Sequence, residues 1–395
     1  MAAEKPLDIF LVAGEASGDQ LGAKLMAALK SRLGGRVRFR GVGGTAMARE
    51  GIKSLFPMED VTAIGIWAVV VKIPTILRRL AETVAAIRAK PPDLLILIDS
   101  PDFTHRVGKR ARRALPDLTI VKYVAPTVWV WRPGRARAMR PFVDHVLAVL
   151  PFEPEVMQRL GGPPCSYVGH PLLELRAELR PSPQEAAARA KEPPLVLVLP
   201  GSRRLELRRL GSIFGDAIGF VAAAYGRIDF VLPTLPALAP EIAVAVESWP
   251  VKPRIVTTEA EKYAAFRRAR AALAASGTVT LELALAQVPM VAAYKVPLFE
   301  EAIARAVAQV KTPILVDLAL GENVTPVFLQ RDCTAAKLAA ALLPLLGEDA
   351  ARERQLEAFA RLERLFATGE PPSAGAARIA IETFEKKTGR RAPRA

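Results

Sequence analysis

Short aliphatic and β-branched runs alternate along the chain with longer stretches in which apolar residues recur at helical spacing among Ala and Arg. This is the pattern of βαβ units around parallel sheets. In the first half it predicts strands over 7–13, 37–42, 94–99, 119–124 and 145–149. In the second half it predicts strands over 195–199, 228–232, 254–257, 271–275 and 289–293. Between the two sets Pro151, Pro154, Pro163, Pro164, Pro171, Pro181, Pro183, Pro193 and Pro194 crowd one region, which argues for a linker. The expected fold is α/β, with two Rossmann-like doubly wound domains over 1–170 and 171–365 facing a cleft, and a terminal helix and basic tail over 366–395. Ligands of such sheets bind beyond the carboxyl ends of the strands. The last ten residues, KKTGRRAPRA, are polar and basic and are expected to fray.

Composition narrows the class without changing the architecture. With 51% hydrophobic and 24% charged residues in a chain of 395, disorder, collagen and coiled coil are excluded. Cys165 and Cys333 are the only cysteines, and no C-x-x-C occurs, so neither a disulfide framework nor a zinc module is expected and the chain reads as cytoplasmic. The amino end has one Lys before a short apolar run that Gly and acidic residues cut off, unlike a signal peptide. No run reaches the roughly 18 apolar residues of a membrane span. The longest, IGIWAVVV, contains Trp67 and Val70 and stops at Lys72. Beyond it Ile73, Leu77 and Leu80 fall on one side of a helix, with Arg78 and Arg79 beside them. Such a helix fits either an anionic membrane surface or a buried packing face with a solvated basic edge. Lys plus Arg number 55 against 40 Asp plus Glu, and the net +15 adds a general attraction to phosphates, nucleic acid or lipid head groups.

Several strand ends carry candidate chemistry. The first strand runs into GEASGDQLG, which places Glu15, Ser17 and Asp19 around a helix amino end. Such ends attract anions, but the two carboxylates make a hydroxyl-rich guest such as a sugar more natural than a bare phosphate; a plain tight turn is the alternative. The second strand ends in GVGGTA, where Gly41, Gly43 and Ala46 match G-x-G-x-x-A and Glu59 or Asp60 stands near the ribose-binding distance, a weak dinucleotide signal. The strand over 94–99 delivers IDSPDF, with Asp99 at its end and Asp102 just after Pro101. Either carboxylate can cap the following helix, or act as general base on a substrate hydroxyl. Next, YVAPTVWVWRPGRARAMR alternates Trp129 and Trp131 ahead of Arg132, Arg135, Arg137 and Arg140, a ledge suited to a phosphate-bearing amphiphile or to single-stranded nucleic acid.

In the second half LPGSRRLELRRL places Ser202 as a possible cap and Arg203 at a helix amino end, an arrangement favouring a diphosphate. SGTVTLELALAQVPM repeats the architecture: Ser276, Gly277 and Thr278 present backbone amides, and Glu282 lies one turn further, where a carboxylate suits a ribose diol. His105, His145 and His170 show no ligand spacing, so no metal site is expected, and the P-loop and G-x-S-x-G patterns are absent.

Taken in order, LVAGEASGD, GVGG, PDLLILIDSPDF, YVAPTVWVWR, LPFEPEV, VGHPLLE, LPGSR, SGTVTLE and PMVAAYKV resemble the lipid-A-disaccharide synthase family from Leu11 to about Leu345. The resemblance implies a two-domain glycosyltransferase B fold without metal or other cofactor. It implies inverting transfer of 2,3-diacylglucosamine from its UDP donor to the 6-hydroxyl of 2,3-diacylglucosamine 1-phosphate, with release of UDP. Asp99 is then the base, with Asp102 the second choice. Arg203 and the turn Ser276, Gly277, Thr278 hold the diphosphate, Glu282 the ribose, and Glu15, Ser17 and Asp19 the sugar side. The first domain takes the acceptor and faces the membrane through Trp67, Val70, Ile73, Leu77, Trp129 and Trp131, and the second takes the UDP-sugar. Peripheral attachment to an anionic inner-membrane surface and a possible homodimer follow, with no nucleic-acid partner. One departure stands out: where the family is expected to carry a Pro-Asn pair, this chain has Val316 and Asp317, and Asp317 is left out of the site. Competing readings are a UDP-sugar enzyme of the same fold with a soluble substrate, either a glycosyltransferase or an epimerase, and a basic nucleic-acid-binding protein.

Overall fold

The computed structural model describes residues 5–62, 66–296 and 312–394, with backbone alone over 66–70. The chain forms two compact units, Met1–Pro171 with Thr368–Ala395, and Leu172–Ala367. In the first unit β1 (Leu7–Ala13), β2 (Val37–Val42), β3 (Leu94–Ile98), β4 (Thr119–Tyr123), β5 (His145–Ala148) and β6 (Cys165–Tyr167) form one parallel sheet. Its order is β2-β1-β3-β4-β5-β6. The second unit repeats the scheme with β7 (Leu195–Leu199), β8 (Asp229–Pro233), β9 (Arg254–Val256), β10 (Ala271–Ala275), β11 (Met290–Tyr294) and β12 (Val327–Leu329), ordered β12-β11-β10-β7-β8-β9.

The central strands LLILI, LVLVL and AALAA are buried throughout, as expected where helices cover both faces of a parallel sheet. Among the described residues the strands the pattern missed lie at the sheet edges, CSY in β6 and VFL in β12. Three residues with one paired side leave no periodicity to read. At Gly41 (φ +137°) a Cβ would stand 1.8 Å from Leu11 O, so this glycine lets β2 close on β1.

The carboxyl-terminal tail, expected to fray, is docked on the first unit. Lys387 Nζ lies 2.9 Å from both Asp144 oxygens, Arg390 pairs with Asp93 at 2.7 Å, and Ala392 is buried while donating its N–H to Glu385 Oε1. Acidic partners elsewhere in the unit hold Lys387 and Arg390 of the basic run.

Candidate active site

The strand orders place the crevice of each unit. In the first, β1 and β3 are neighbours whose outgoing connections leave in opposite directions along the sheet, to β2 and to β4. In the second, β7 and β10 stand in the same relation. At such a switch point the loops diverge and leave a crevice beyond the strand ends, where doubly wound folds hold ligands.

Beyond β1, α1 (Ala16–Arg32) begins directly, with Glu15 in the extended N-cap position. Beyond β3 the chain turns sharply through Asp99 (φ +46°) and Ser100 (φ +38°) into α4 (Pro101–Ala114). Two consecutive residues with side chains in the left-handed region are costly, and such strain persists where surrounding structure overrides it. The turn brings four polar side chains together: Ser17 Oγ donates to Asp99 Oδ2 at 3.4 Å and Ser100 Oγ to Glu15 Oε1 at 3.2 Å. Glu15 and Ser17 are exposed and Asp99 is half-buried. This is an acidic, hydroxyl-lined turn that can accept hydrogen bonds and a proton.

Beneath it lies a group that the motif reading missed. Lys122, next to the carboxyl end of β4, is fully buried; its Nζ bonds Asp99 O and reaches Thr104 Oγ1 at 3.3 Å. Burial pushes its ammonium down to about 7 against the pull of the Asp99 and Glu15 carboxylates. A single charged residue within the strand TIVKY was the available signal.

The structure moves several expected site residues elsewhere. Asp19 is buried (4% exposed), and its carboxylate accepts from the amides of Gly44, Ala46 and Met47 at 2.8, 2.8 and 3.0 Å. It fills the amino end of α2 (Thr45–Arg49), so it does not face a sugar, and the G-x-G-x-x-A loop spends its amides on an internal carboxylate rather than a pyrophosphate. Asp102, the second candidate base, is exposed, hydrogen-bonded to Arg135 and 3.9 Å from Arg132. Trp129 is no part of an open ledge: it packs on the core, stands edge-on to Phe152 at 5.3 Å and donates Nε1–H to Glu153 Oε1 at 3.3 Å. Burial pushes that glutamate up to about 7 even though the amides of Val149 and Leu150 also donate to it. Trp131 is exposed, with the Arg132 and Arg135 guanidiniums 4.2 and 5.2 Å from its ring.

The apolar helix expected over 64–80 is α3 (Ile66–Ala89), which accommodates Pro74. Val71, Ile73 and Leu77 are exposed, at 76%, 44% and 45%. Trp67 and Val70 have side chains outside the described residues. The neighbouring cations are partly committed: Lys72 Nζ donates to Glu59 O and Thr62 O at 2.8 and 2.9 Å, and Arg79 pairs with Asp60 and Glu82, both at 2.7 Å. Among the described residues no helix is long and apolar enough to cross a membrane.

In the second unit, Arg203 is the exposed N-cap residue of helix Arg204–Tyr225. Ser202 does not cap this helix. Glu206 reaches back instead, its Oε2 accepting from Ser202 N and Arg203 N at 2.9 and 3.2 Å and its Oε1 lying 3.3 Å from Arg203 Nη1. Gly201 (φ +119°) makes room, since a Cβ would stand 2.3 Å from Glu206 Oε2. Beyond β10, Ser276 spends its amide on Ala293 O and its hydroxyl on Pro313 O, while extended Gly277 leads into helix Thr278–Leu285. The first amides of that helix have no acceptor within it. Glu282 is half-buried and ion-paired with Lys262 at 2.6 Å, a partner the sequence did not announce. Asp317 is buried and accepts from Val324 N and Thr325 N at 3.3 and 3.1 Å, and burial raises its carboxyl. Among the described residues no three His, Cys, Asp or Glu gather to hold a metal ion.

Two doubly wound parallel sheets, each with polar turns at its switch point, define the glycosyltransferase B fold class. Solved structures with this backbone include a putative UDP-N-acetylglucosamine 2-epimerase from Listeria monocytogenes (TM-score 0.62, 13% identity, 99% of both chains) and MurG from Acinetobacter baumannii (TM-score 0.59, 13% identity, 95% of this chain and 100% of that one). At that identity the likeness is of fold alone. The lipid-A-disaccharide synthetase family model matches residues 9–375. Lipid-A-disaccharide synthases from Nitrobacter winogradskyi and Rhodopseudomonas palustris strain HaA2 are 56% and 55% identical, over 97% and 96% of both chains, and that from Rhodospirillum centenum is 44% identical over 97% of this chain and 96% of its own. The chain belongs to the lipid-A-disaccharide synthase family and is therefore a glycosyltransferase.

Proposed function

We propose that the chain joins UDP-2,3-diacylglucosamine to 2,3-diacylglucosamine 1-phosphate, forming the β-1,6 disaccharide 1-phosphate and UDP. The acceptor 6-hydroxyl oxygen attacks the donor's anomeric carbon and its proton passes to Asp99. The bond from that carbon to the UDP oxygen breaks, and UDP leaves with the electron pair. Configuration inverts in one displacement, so a single base suffices, and no covalent sugar–enzyme intermediate forms. Glu15 and Ser17 orient the sugar hydroxyls. Arg203 and the amides of Gly277 and Thr278 receive the charge gathering on the diphosphate, and Glu282 meets the ribose once Lys262 shares it. The observation that carries this reading is the half-buried Asp99 carboxylate beside Ser17 at the switch point of the first unit.

The exposed Val71, Ile73 and Leu77 on α3 support a further part of the reading, peripheral attachment to an anionic inner-membrane surface from which both acyl substrates are drawn. A homodimer belongs to the same proposal. The decisive experiment measures UDP release from UDP-2,3-diacylglucosamine with and without the monophosphate acceptor. Release that requires the acceptor supports the reading, and acceptor-independent release or none sinks it.

A further inference from the structure

The turn that presents Asp99 is strained. Asp99 and Ser100 have positive φ, and so does Val124 (φ +70°), the first residue beyond the neighbouring strand β4. For a β-branched residue such as Val124 that conformation is an outlier, and here it joins two other non-glycine residues at positive φ at the ends of β3 and β4. Backbone bonds fix the edges of the cluster: Asp99 N donates to Tyr123 O and Val124 N to Leu147 O, both at 3.0 Å. The carbonyl between Asp99 and Ser100 points inward, where Thr104 Oγ1 lies 2.8 Å from it and Lys122 Nζ bonds it. Thr104 Oγ1 also lies 3.0 Å from Ser100 O and 3.3 Å from Lys122 Nζ, closing a small buried network under the turn.

A fully buried ammonium is expensive, and a methionine of similar length would fill the same space without that cost. Its bonds go to the backbone of the base's own turn and to the side chain that shares this carbonyl. We infer that Lys122 is a positioning residue that holds the strained Asp99–Ser100 turn, and through it the Asp99 carboxylate, in the geometry for proton transfer. The charges acting on it are the carboxylates of Asp99 and Glu15, which favour the ammonium; burial keeps His105 neutral. The inference rests on the assignment of Asp99 as base.

The test compares Lys122→Met, Thr104→Val and Asp99→Asn in the full chain, with UDP release, UDP binding by calorimetry and thermal unfolding measured for each. Misplacing a reacting group by about an ångström costs about 10²-fold, so Lys122→Met is expected to lower kcat by about that factor. The donor KM and the affinity for UDP should stay within about twofold, because the turn acts on the chemical step alone. A structural role would instead lower the folded fraction and leave kcat per folded molecule intact, and that result overturns the inference. If Lys122→Met does not fold, Thr104→Val decides: a fall in kcat of about tenfold or more at unchanged KM upholds the network's role, and an unchanged kcat removes it. Asp99→Asn separates the two levels. If it is inactive while Lys122→Met turns over normally, only the positioning claim fails; if it is active, the assignment of the base fails first.

Discussion

The turns after β3 and β10 occupy equivalent places beside the two switch points, and they are held in opposite ways. After β3 the chain bends through Asp99 and Ser100 at positive φ, over a lysine that β4 supplies from inside the sheet. After β10 it passes through Ser276 and an extended Gly277, and the adjoining strand β11, MVAAY, carries no charged side chain. On the proposed roles, a turn that aims a carboxylate accepts strain and buried charge, and a turn that offers backbone amides needs only space. The turns after β1 and β7 differ in the same sense. The first presents Glu15 and Ser17, whereas the second ties its amides to Glu206 and leaves Arg203 exposed.

The largest break in this comparison should come from Asp99→Asn, which is expected to keep the turn's shape and removes the proposed proton acceptor. Turnover should fall by about 10²- to 10⁴-fold while calorimetric UDP affinity stays unchanged. A normal rate would mean that the acidic turn serves binding alone.

Next in size is the cost of the buried lysine. Its folded value of about 7 lies below the ordinary 10.5, so between those limits the unfolded chain binds more protons and stability rises with pH. The penalty is complete below about pH 7 and disappears above about 10.5. The unfolding free energy of the wild type relative to Lys122→Met should therefore climb by a few kcal/mol between neutral and alkaline pH, read by urea titration at several pH values. A flat difference would show that no buried charge supports the turn.

Asp19→Ala sharpens the contrast between a carboxylate that presents itself and one that is spent internally. It strands the amides of Gly44, Ala46 and Met47, and should cost about 1 to 3 kcal/mol in thermal or urea unfolding. The smallest expected effect is that of Arg203→Ala, about tenfold in UDP affinity, since its guanidinium is solvent-exposed. Unchanged UDP binding would remove Arg203 from the diphosphate site.

Much of this organisation was legible beforehand. Runs such as LLILI and LVLVL can sit only where both faces are covered, and their order fixed where Asp99 and Arg203 emerge. Asp19 was misread because a helix amino end looks the same in sequence whether its anion is a ligand or an internal carboxylate. Glu206 escaped for that reason too, and the basic tail was misjudged because Asp93 and Asp144 lie far from it along the chain.

The chain's own pattern determined the alternation of strands and helices and the two-sheet plan, because burial on both faces of a parallel sheet leaves local traces, while the family was legible only as a resemblance carried by its ordered motifs. Tertiary structure alone decided which carboxylates are presented and which are consumed, and set Lys122 beneath Asp99. Hydrogen bonds between residues tens of positions apart depend on strand order and register, and no local window of sequence contains them.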